Sequence, residues 1–469
     1  MPTEIRRAAR QDKLRVCALP IVHLGEGAGG LRRGSVADRE TGASRRPAQG
    51  LCLRTMTDPT DARLAAQYEA YPYPTRDKRD EAKRLIIGSP GHLKEIDWWV
   101  FGATRPASRP LHALIAGGGT GDATIMLAQQ MARAGRAGSV TYLDRSAAAM
   151  EVAQGRAATR GLTNIVWEQR SLLDLPGSGL GPFDYVDCCG VLHHLPDPAA
   201  GVRALLSVLA PDGGMGLMVY APHGRTGVYM MQDALRLLAP AEEPPAARMD
   251  VARRVLKHMP DSAWLRKNTY LSDHTAGGDA GIYDLLLNPR DVSYTVPALA
   301  ALLEGQGLDI TCWLEPMRYD PSFLLPDPRL RARAAALPPI ARAALAEALA
   351  GNMSTHVVYC RRATEPRHVA DHMDQAAIPI TREMPGDGIA SLIRPDGAIP
   401  YLFDGLRAIV PLPPLAAALL RQVDGSRTVA DILTALSQRG NKPETVRQAW
   451  HATFAALNPV NQLLLLPPA

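Results

Sequence analysis

The sequence predicts an α/β protein: a doubly wound, mostly parallel seven-stranded sheet, with a helical insertion and a small C-terminal α+β domain. Two observations predict it. Between residues 111 and 221, short apolar runs alternate with helical stretches, the pattern of βαβ units with helices on both faces of a sheet. The first of those runs passes straight into a glycine-rich turn and then a helix, which sets a backbone-lined cradle at a strand's carboxyl end.

The elements follow in order. Residues 1–55 hold eleven Arg or Lys against five Asp or Glu and show no sustained period, so they read as a disordered basic leader. Met56 would serve as an alternative start. Residues 56–110 read as an N-terminal helical cap. A helical stretch from Asp61 is stopped by Tyr71-Pro72-Tyr73-Pro74, because proline has no amide proton and restricts the residue before it. Trp98 and Trp99 follow on a second helical stretch, as core or lid packing. Strands are expected at 111–116, 139–144, 164–169, 183–189 and 213–221, with helices at 120–133, 146–160 and 197–210. In the first helix Thr124, Leu127, Ala128 and Met131 make one apolar stripe. A helical insertion at about 225–290 interrupts the alternation, which resumes with a helix at 296–307 and strands at 308–315 and 355–362. The main domain therefore spans 111–363. Residues 364–380 read as a linker and 381–469 as a separate winged-helix-like domain, of the kind that offers a partner or dimer contact.

Composition narrows the function. The chain of 469 residues carries a net charge of +5, but the leader accounts for +6 of it. The remaining body has no electrostatic footprint for nucleic acid. No apolar run approaches the roughly 20 residues that span a bilayer. The six cysteines are scattered with no metal spacing, so no metal is expected; Cys188 and Cys189 read as buried inert thiols in a reduced, cytoplasmic compartment.

The chemistry is concentrated at Ala116-Gly117-Gly118-Gly119-Thr120-Gly121-Asp122. A second glycine cluster, Gly25-Glu26-Gly27-Ala28-Gly29, has no helix after it and is discarded. Asp144, followed by Arg145, ends the next strand where a carboxylate can accept from two ribose hydroxyls. Position 122 is Asp, so the third glycine of the dinucleotide fingerprint is missing, which argues against a nicotinamide-dependent oxidoreductase.

With Phe183-Asp184-Tyr185-Val186-Asp187-Cys188-Cys189-Gly190-Val191-Leu192-His193-His194 and Ala210-Pro211-Asp212-Gly213-Gly214 in order after the turn, the sequence resembles the class I S-adenosylmethionine (SAM)-dependent methyltransferases, whose fold is Rossmann-like. The Tyr-Pro-Tyr-Pro segment is similar to that of a bacterial group within them. The resemblance implies SAM as cofactor and methyl transfer to a small-molecule or peptide acceptor. It implies that Gly117, Gly119 and Gly121 hold the methionine portion, with Ala116, Gly118 and Thr120 beside them. It further implies that Asp144 and Arg145 serve the ribose, Ser171 and Leu172 flank adenine, and Cys189 and Gly190 line the methyl-donor channel. Ile115 stands where the family usually has an acid, and Asp122 is the residue that would compensate. Ser171 stands where the family often has Asp. A non-catalytic SAM-binding sensor or scaffold is the alternative that those departures support.

A methyl on sulfonium is already activated, so a general base is needed only if the acceptor must lose a proton. His193, His194 and Tyr220 are the catalytic candidates, although packing at the start of a helix is the preferred role for each histidine. Tyr68, Tyr71, Tyr73 and His223 are the candidate acceptor-binding residues. The insertion, with Trp264, Tyr270 and His274, is expected to set acceptor specificity.

Overall fold

The computed structural model describes residues 59–468. The leader expected at 1–55, and Met56, lie outside the described residues.

The chain opens with helix α1 (Pro59–Ala70), then a short α2 (Leu93–Glu95) that runs into a π-helical turn, Ile96–Val100. Five strands and three helices follow: β1 (Leu111–Ala116), α3 (Asp122–Arg133), β2 (Gly138–Asp144), α4 (Ala147–Thr159), β3 (Ile165–Gln169), β4 (Phe183–Cys189), α5 (Pro198–Ser207) and β5 (Leu209–Tyr220). The insertion holds α6 (Val228–Leu238), α7 (Pro245–His258), the short α8 (Trp264–Lys267), α9 (Asp273–Ala276) and α10 (Gly278–Ile282), and a π-helical turn, Tyr283–Leu287. Then come α11 (Val296–Glu304), β6 (Leu308–Trp313), α12 (Pro328–Ala335), α13 (Pro339–Ala350) and β7 (Thr355–Arg362).

Strands β1 to β7 form one sheet in the order β3-β2-β1-β4-β5-β7-β6, with only β7 antiparallel to its neighbours. Because β4 is central and parallel, both of its faces are covered, and all but its last residue are buried. The helix stripe predicted on α3 is buried as expected: Thr124, Leu127, Ala128 and Met131 are all at 0% exposure. Local chemistry sets the helix starts. Ser146 Oγ accepts from the Ala149 N–H to cap α4, and Asp197 accepts from the Ala200 N–H to cap α5, with Pro198 in the first turn.

The insertion has its own small core of Val228, Leu235, Met249, Leu265 and Leu285–Leu287, against which Tyr71 of the N-terminal segment packs. The two segments therefore cover the sheet together.

The C-terminal residues form β8 (Pro379–Thr381), α14 (Gly386–Ser391), the hairpin β9 (Ala398–Phe403) and β10 (Leu406–Pro411), α15 (Ala416–Leu420), α16 (Val429–Ser437), α17 (Pro443–Leu457) and β11 (Leu463–Leu465). They share one apolar core with the main domain, which includes Trp98, Trp99, Tyr359, Trp450 and Leu463. Trp99 Nε1 donates to Asn461 Oδ1 at 3.0 Å, and Trp98 meets Phe454 edge-on. Strand β8 pairs with β11, so the last residues of the expected linker belong to this C-terminal unit.

Beneath the sheet, the two parts are joined by a buried polar centre. The Glu95 carboxylate, at 0% exposure, accepts from Arg382 Nε, Tyr359 OH at 2.6 Å, Ser89 Oγ at 2.8 Å and Asn461 Nδ2 at 2.6 Å. Burial opposes its ionisation, but Arg382 and these donors hold its pKa below the usual value.

Candidate active site

β1 ends at Ala116, and the N–H groups of Gly117 and Gly118 both donate to the Leu143 carbonyl of β2, at 2.8 and 3.0 Å. Gly117 and Gly121 take φ of 85° and 101°, in the left-handed region that favours glycine. A Cβ on Gly117 would stand 2.2 Å from Val191 Cγ2, and one on Gly121 would stand 2.8 Å from the Ala153 Cβ. Only bare backbone fits, and the result is a cradle at the start of α3. Thr120 Oγ1 donates to the Pro74 carbonyl at 2.7 Å, which lays the Tyr-Pro segment beside the turn.

Asp144 closes β2 beside the cradle. Its Oδ2 accepts from the Gly119 N–H at 2.8 Å and its Oδ1 from the Ser146 N–H at 2.9 Å. A carboxylate offers about four lone-pair sites, so acceptor capacity remains for two hydroxyls. Burial pushes its pKa up, against the pull of the two amides. Arg145 is exposed, and among the described residues its side chain reaches only the Asp61 carbonyl, at 3.4 Å. After β3, Ser171 Oγ accepts from the Leu173 N–H at 3.2 Å. Leu172 turns into the core under α5, while Leu173 is exposed. Cys189 and Gly190 are half-buried at the end of β4. Burial pushes the Cys188 and Cys189 thiols up, as inert thiols require.

The structure corrects one expectation. Asp122 does not replace the acid missing at Ile115, because its carboxylate is held by Arg76 at 2.5 Å and Arg156 at 2.7 Å.

Beyond the cradle, at the carboxyl edge of β4 and β5, the sequence candidates divide. Tyr68 and Tyr220 converge: both hydroxyls donate to Asp284, one to each oxygen, at 2.9 Å. Asn288 Nδ2 adds a contact to the same carboxylate at 3.4 Å. The Tyr73 hydroxyl donates to Asp273 Oδ1 at 3.1 Å. Burial pushes the Asp273 pKa up, and the Asp284 charge adds to the rise. Neither Asp273 nor Asp284 has an ion-pair partner among the described residues. The cation beside them, Arg225, stacks on the Tyr220 ring at 3.7 Å and is paired with Asp291 at 2.5 Å.

His193 stacks on Tyr220 with centroids 3.9 Å apart, fully buried, and neither ring nitrogen has a partner among the described residues. Burial drives its pKa well below the usual histidine range, with His194 and Arg225 adding to the fall. His194 donates through Nδ1 to the Arg290 carbonyl at 2.6 Å. Tyr71 stacks instead on Tyr283 at 5.1 Å, as packing within the insertion. His223 is exposed, and its side chain makes no hydrogen bond among the described residues.

Within the insertion, Trp264 and Tyr270 are exposed, and Tyr270 leans on Gly405 of the C-terminal hairpin. The insertion residues that reach the tyrosines are Asp273, Asp284 and Asn288, which sequence reasoning missed. Asp284 did carry a signal: it is a single acid inside the apolar run Tyr283-Asp284-Leu285-Leu286-Leu287.

The cradle, the carboxylate at the end of the second strand and the strand order together define a class I SAM-dependent methyltransferase domain. Residues 114–215 match the family model of a methyltransferase domain. Among curated proteins, the chain is 32% identical over 283 residues to an uncharacterised protein of Synechococcus sp., covering 57% of this chain and 64% of that one. It is 34% identical over 137 residues to a ubiquinone biosynthesis O-methyltransferase of Neisseria meningitidis, covering 29% and 53%. The chain thus spans less than two thirds of these relatives. Among solved structures, PKMT2 from Rickettsia typhi in complex with AdoHcy shares the fold, with a TM-score of 0.55 at 14% identity over 81% of this chain and 75% of that one. Among the described residues no helix is long and apolar enough to cross a membrane, and no group of three or more His, Cys, Asp or Glu could hold a metal.

Proposed function

We propose that the protein transfers the SAM methyl group to an amine nitrogen of a small-molecule or peptide acceptor. One observation carries the choice of acceptor. Asp284 is buried and Asp273 half-buried near it, and among the described residues their carboxylates are bonded only to neutral hydroxyls and an amide. Two carboxylates without an ion-pair partner among the described residues, with the nearby Arg225 already paired to Asp291, favour a cation, and the rings of Tyr68, Tyr73 and Tyr220 add their electron-rich faces.

The cradle residues Gly117, Gly119 and Gly121 would hold the methionine portion, Asp144 the ribose and Ser171 the adenine edge, while the side chain of Leu172, expected beside adenine, is turned into the core. When bound, SAM supplies a methyl group that needs no further activation. The chain's task is then to orient the acceptor and exclude water, and orientation alone lowers such a barrier by several kcal/mol. Cys189 and Gly190 line the path between the two seats.

Tritiated SAM offered with poly-L-lysine, spermidine and benzylamine, against phenol and thiol probes of similar size, tests the reading. Label on the amines is expected. Label on the phenols or thiols alone would overturn the acceptor class. Binding of S-adenosylhomocysteine with no transfer to any probe would favour a sensor.

A further inference from the structure

We infer that His194, rather than the neighbouring His193, receives the acceptor's proton during transfer; the inference rests on the methyl-transfer reading above. A carbonyl oxygen can only accept, so the 2.6 Å contact from His194 Nδ1 to the Arg290 carbonyl requires the proton on Nδ1. In the neutral ring the lone pair is then on Nε2, which makes no hydrogen bond among the described residues. A backbone carbonyl fixing one ring nitrogen so that the other can work is a general device for histidine.

The anchor is itself held. The Arg290 guanidinium pairs with Asp61 of α1 at 2.6 Å and donates to the His194 carbonyl at 3.3 Å. The ring touches both tyrosines that hold Asp284: it meets Tyr68 edge-on at 6.2 Å and Tyr220 edge-on at 5.8 Å. An ammonium drawn to Asp284 therefore arrives beside His194. His193 offers no such atom: both its nitrogens are sealed in packing against Tyr220, with no surface that a ligand could touch.

The proton step balances simply. With SAM bound, the acceptor nitrogen would give one proton to Nε2 and use the freed electron pair for the new N–C bond, while the bond from the methyl to the sulfonium would break with its pair left on sulfur as a neutral thioether; the imidazolium would then release its proton to water. The charged and titratable groups around the ring are His193 at 4.2 Å, Tyr68, Tyr220 and Arg290, with Asp61, Asp284 and Arg225 one layer out.

Two measurements test the inference. Nitrogen-15 correlation spectra of histidine-labelled protein should show the His194 Nδ1–H tautomer; an Nε2–H tautomer overturns the inference without any activity assay. His194→Asn keeps an N–H donor for the Arg290 carbonyl and deletes Nε2. It should bind S-adenosylhomocysteine like the wild type, transfer about 10²- to 10⁴-fold more slowly, lose the acid limb of the pH profile and regain rate with added imidazole. A variant as fast as the wild type overturns the inference and leaves the methyltransferase reading standing. A wild type inert toward every probe overturns that reading, and this inference with it.

Discussion

Two of the carboxylate centres among the described residues are built on opposite terms. Glu95, between the main domain and the C-terminal unit, has an arginine, two hydroxyls and an amide directed at it, and its ionised form is held. Asp273 and Asp284, at the carboxyl edge of the sheet, have hydroxyls and an amide but no ion-pair partner among the described residues, the nearby Arg225 being paired with Asp291. The first arrangement is complete within the protein. On the proposed reading, the second is completed by a positively charged acceptor. Burial alone then does not mark a site; a carboxylate left without an ion-pair partner does.

The comparison is broken most sharply at Arg382. Replacing it by Met leaves Glu95 ionised without its cation, and unfolding in denaturant should show a loss of about 3–5 kcal/mol. If Glu95 were no more dependent on charge than the aspartates, the loss would be under about 1 kcal/mol. Asp284→Asn should do the reverse. Stability should stay within about 1 kcal/mol, while kcat/KM for an amine falls about 10- to 100-fold, the value of one charge-assisted hydrogen bond. An unchanged kcat/KM would remove Asp284 from the acceptor's seat. Asp144→Ala should weaken S-adenosylhomocysteine binding by about 1.5–3 kcal/mol in calorimetry, with transfer at saturating SAM less affected.

The smallest effect belongs to a third buried acid. Burial, with the nearby Glu95 charge, pushes Asp187 up to about 7, although the Tyr185 hydroxyl bonds it. The native state therefore holds a proton that the unfolded chain has lost between roughly pH 4 and 7. Stability should fall as pH rises through that window. Asp187→Asn should flatten the slope by on the order of 1–2 kcal/mol, read by unfolding at pH 5 and pH 8.

The glycine cradle was legible in the sequence because it is local. Gly117 through Gly121 are contiguous, and Asp144 lies one strand and one helix further on, so strand, turn and helix signals fall within one short window. The proposed acceptor seat is assembled from distant parts: Tyr68 and Asp284 are 216 positions apart, and Tyr73 and Asp273 are 200. No periodicity links such pairs. Tyr68, Tyr73 and Tyr220 could be named as candidates because they flank recognisable elements, but the acids that give them purpose could not. The same distance hid the Glu95 centre, whose Arg382 partner lies 287 positions away. It also hid the fact that Asp122 is spent on two arginines, one of them from before the sheet begins.

That shared centre bears on how the gene can be shortened. The stretch that matches the methyltransferase family ends at residue 215, yet the apolar floor under its sheet is completed by side chains some 250 positions later. A truncation before β8 would bare Trp98, Trp99 and Tyr359 to water and strand an acid with no counter-ion. The smallest inheritable unit here is thus set by what must be covered from below, and is far longer than the piece that carries the signature.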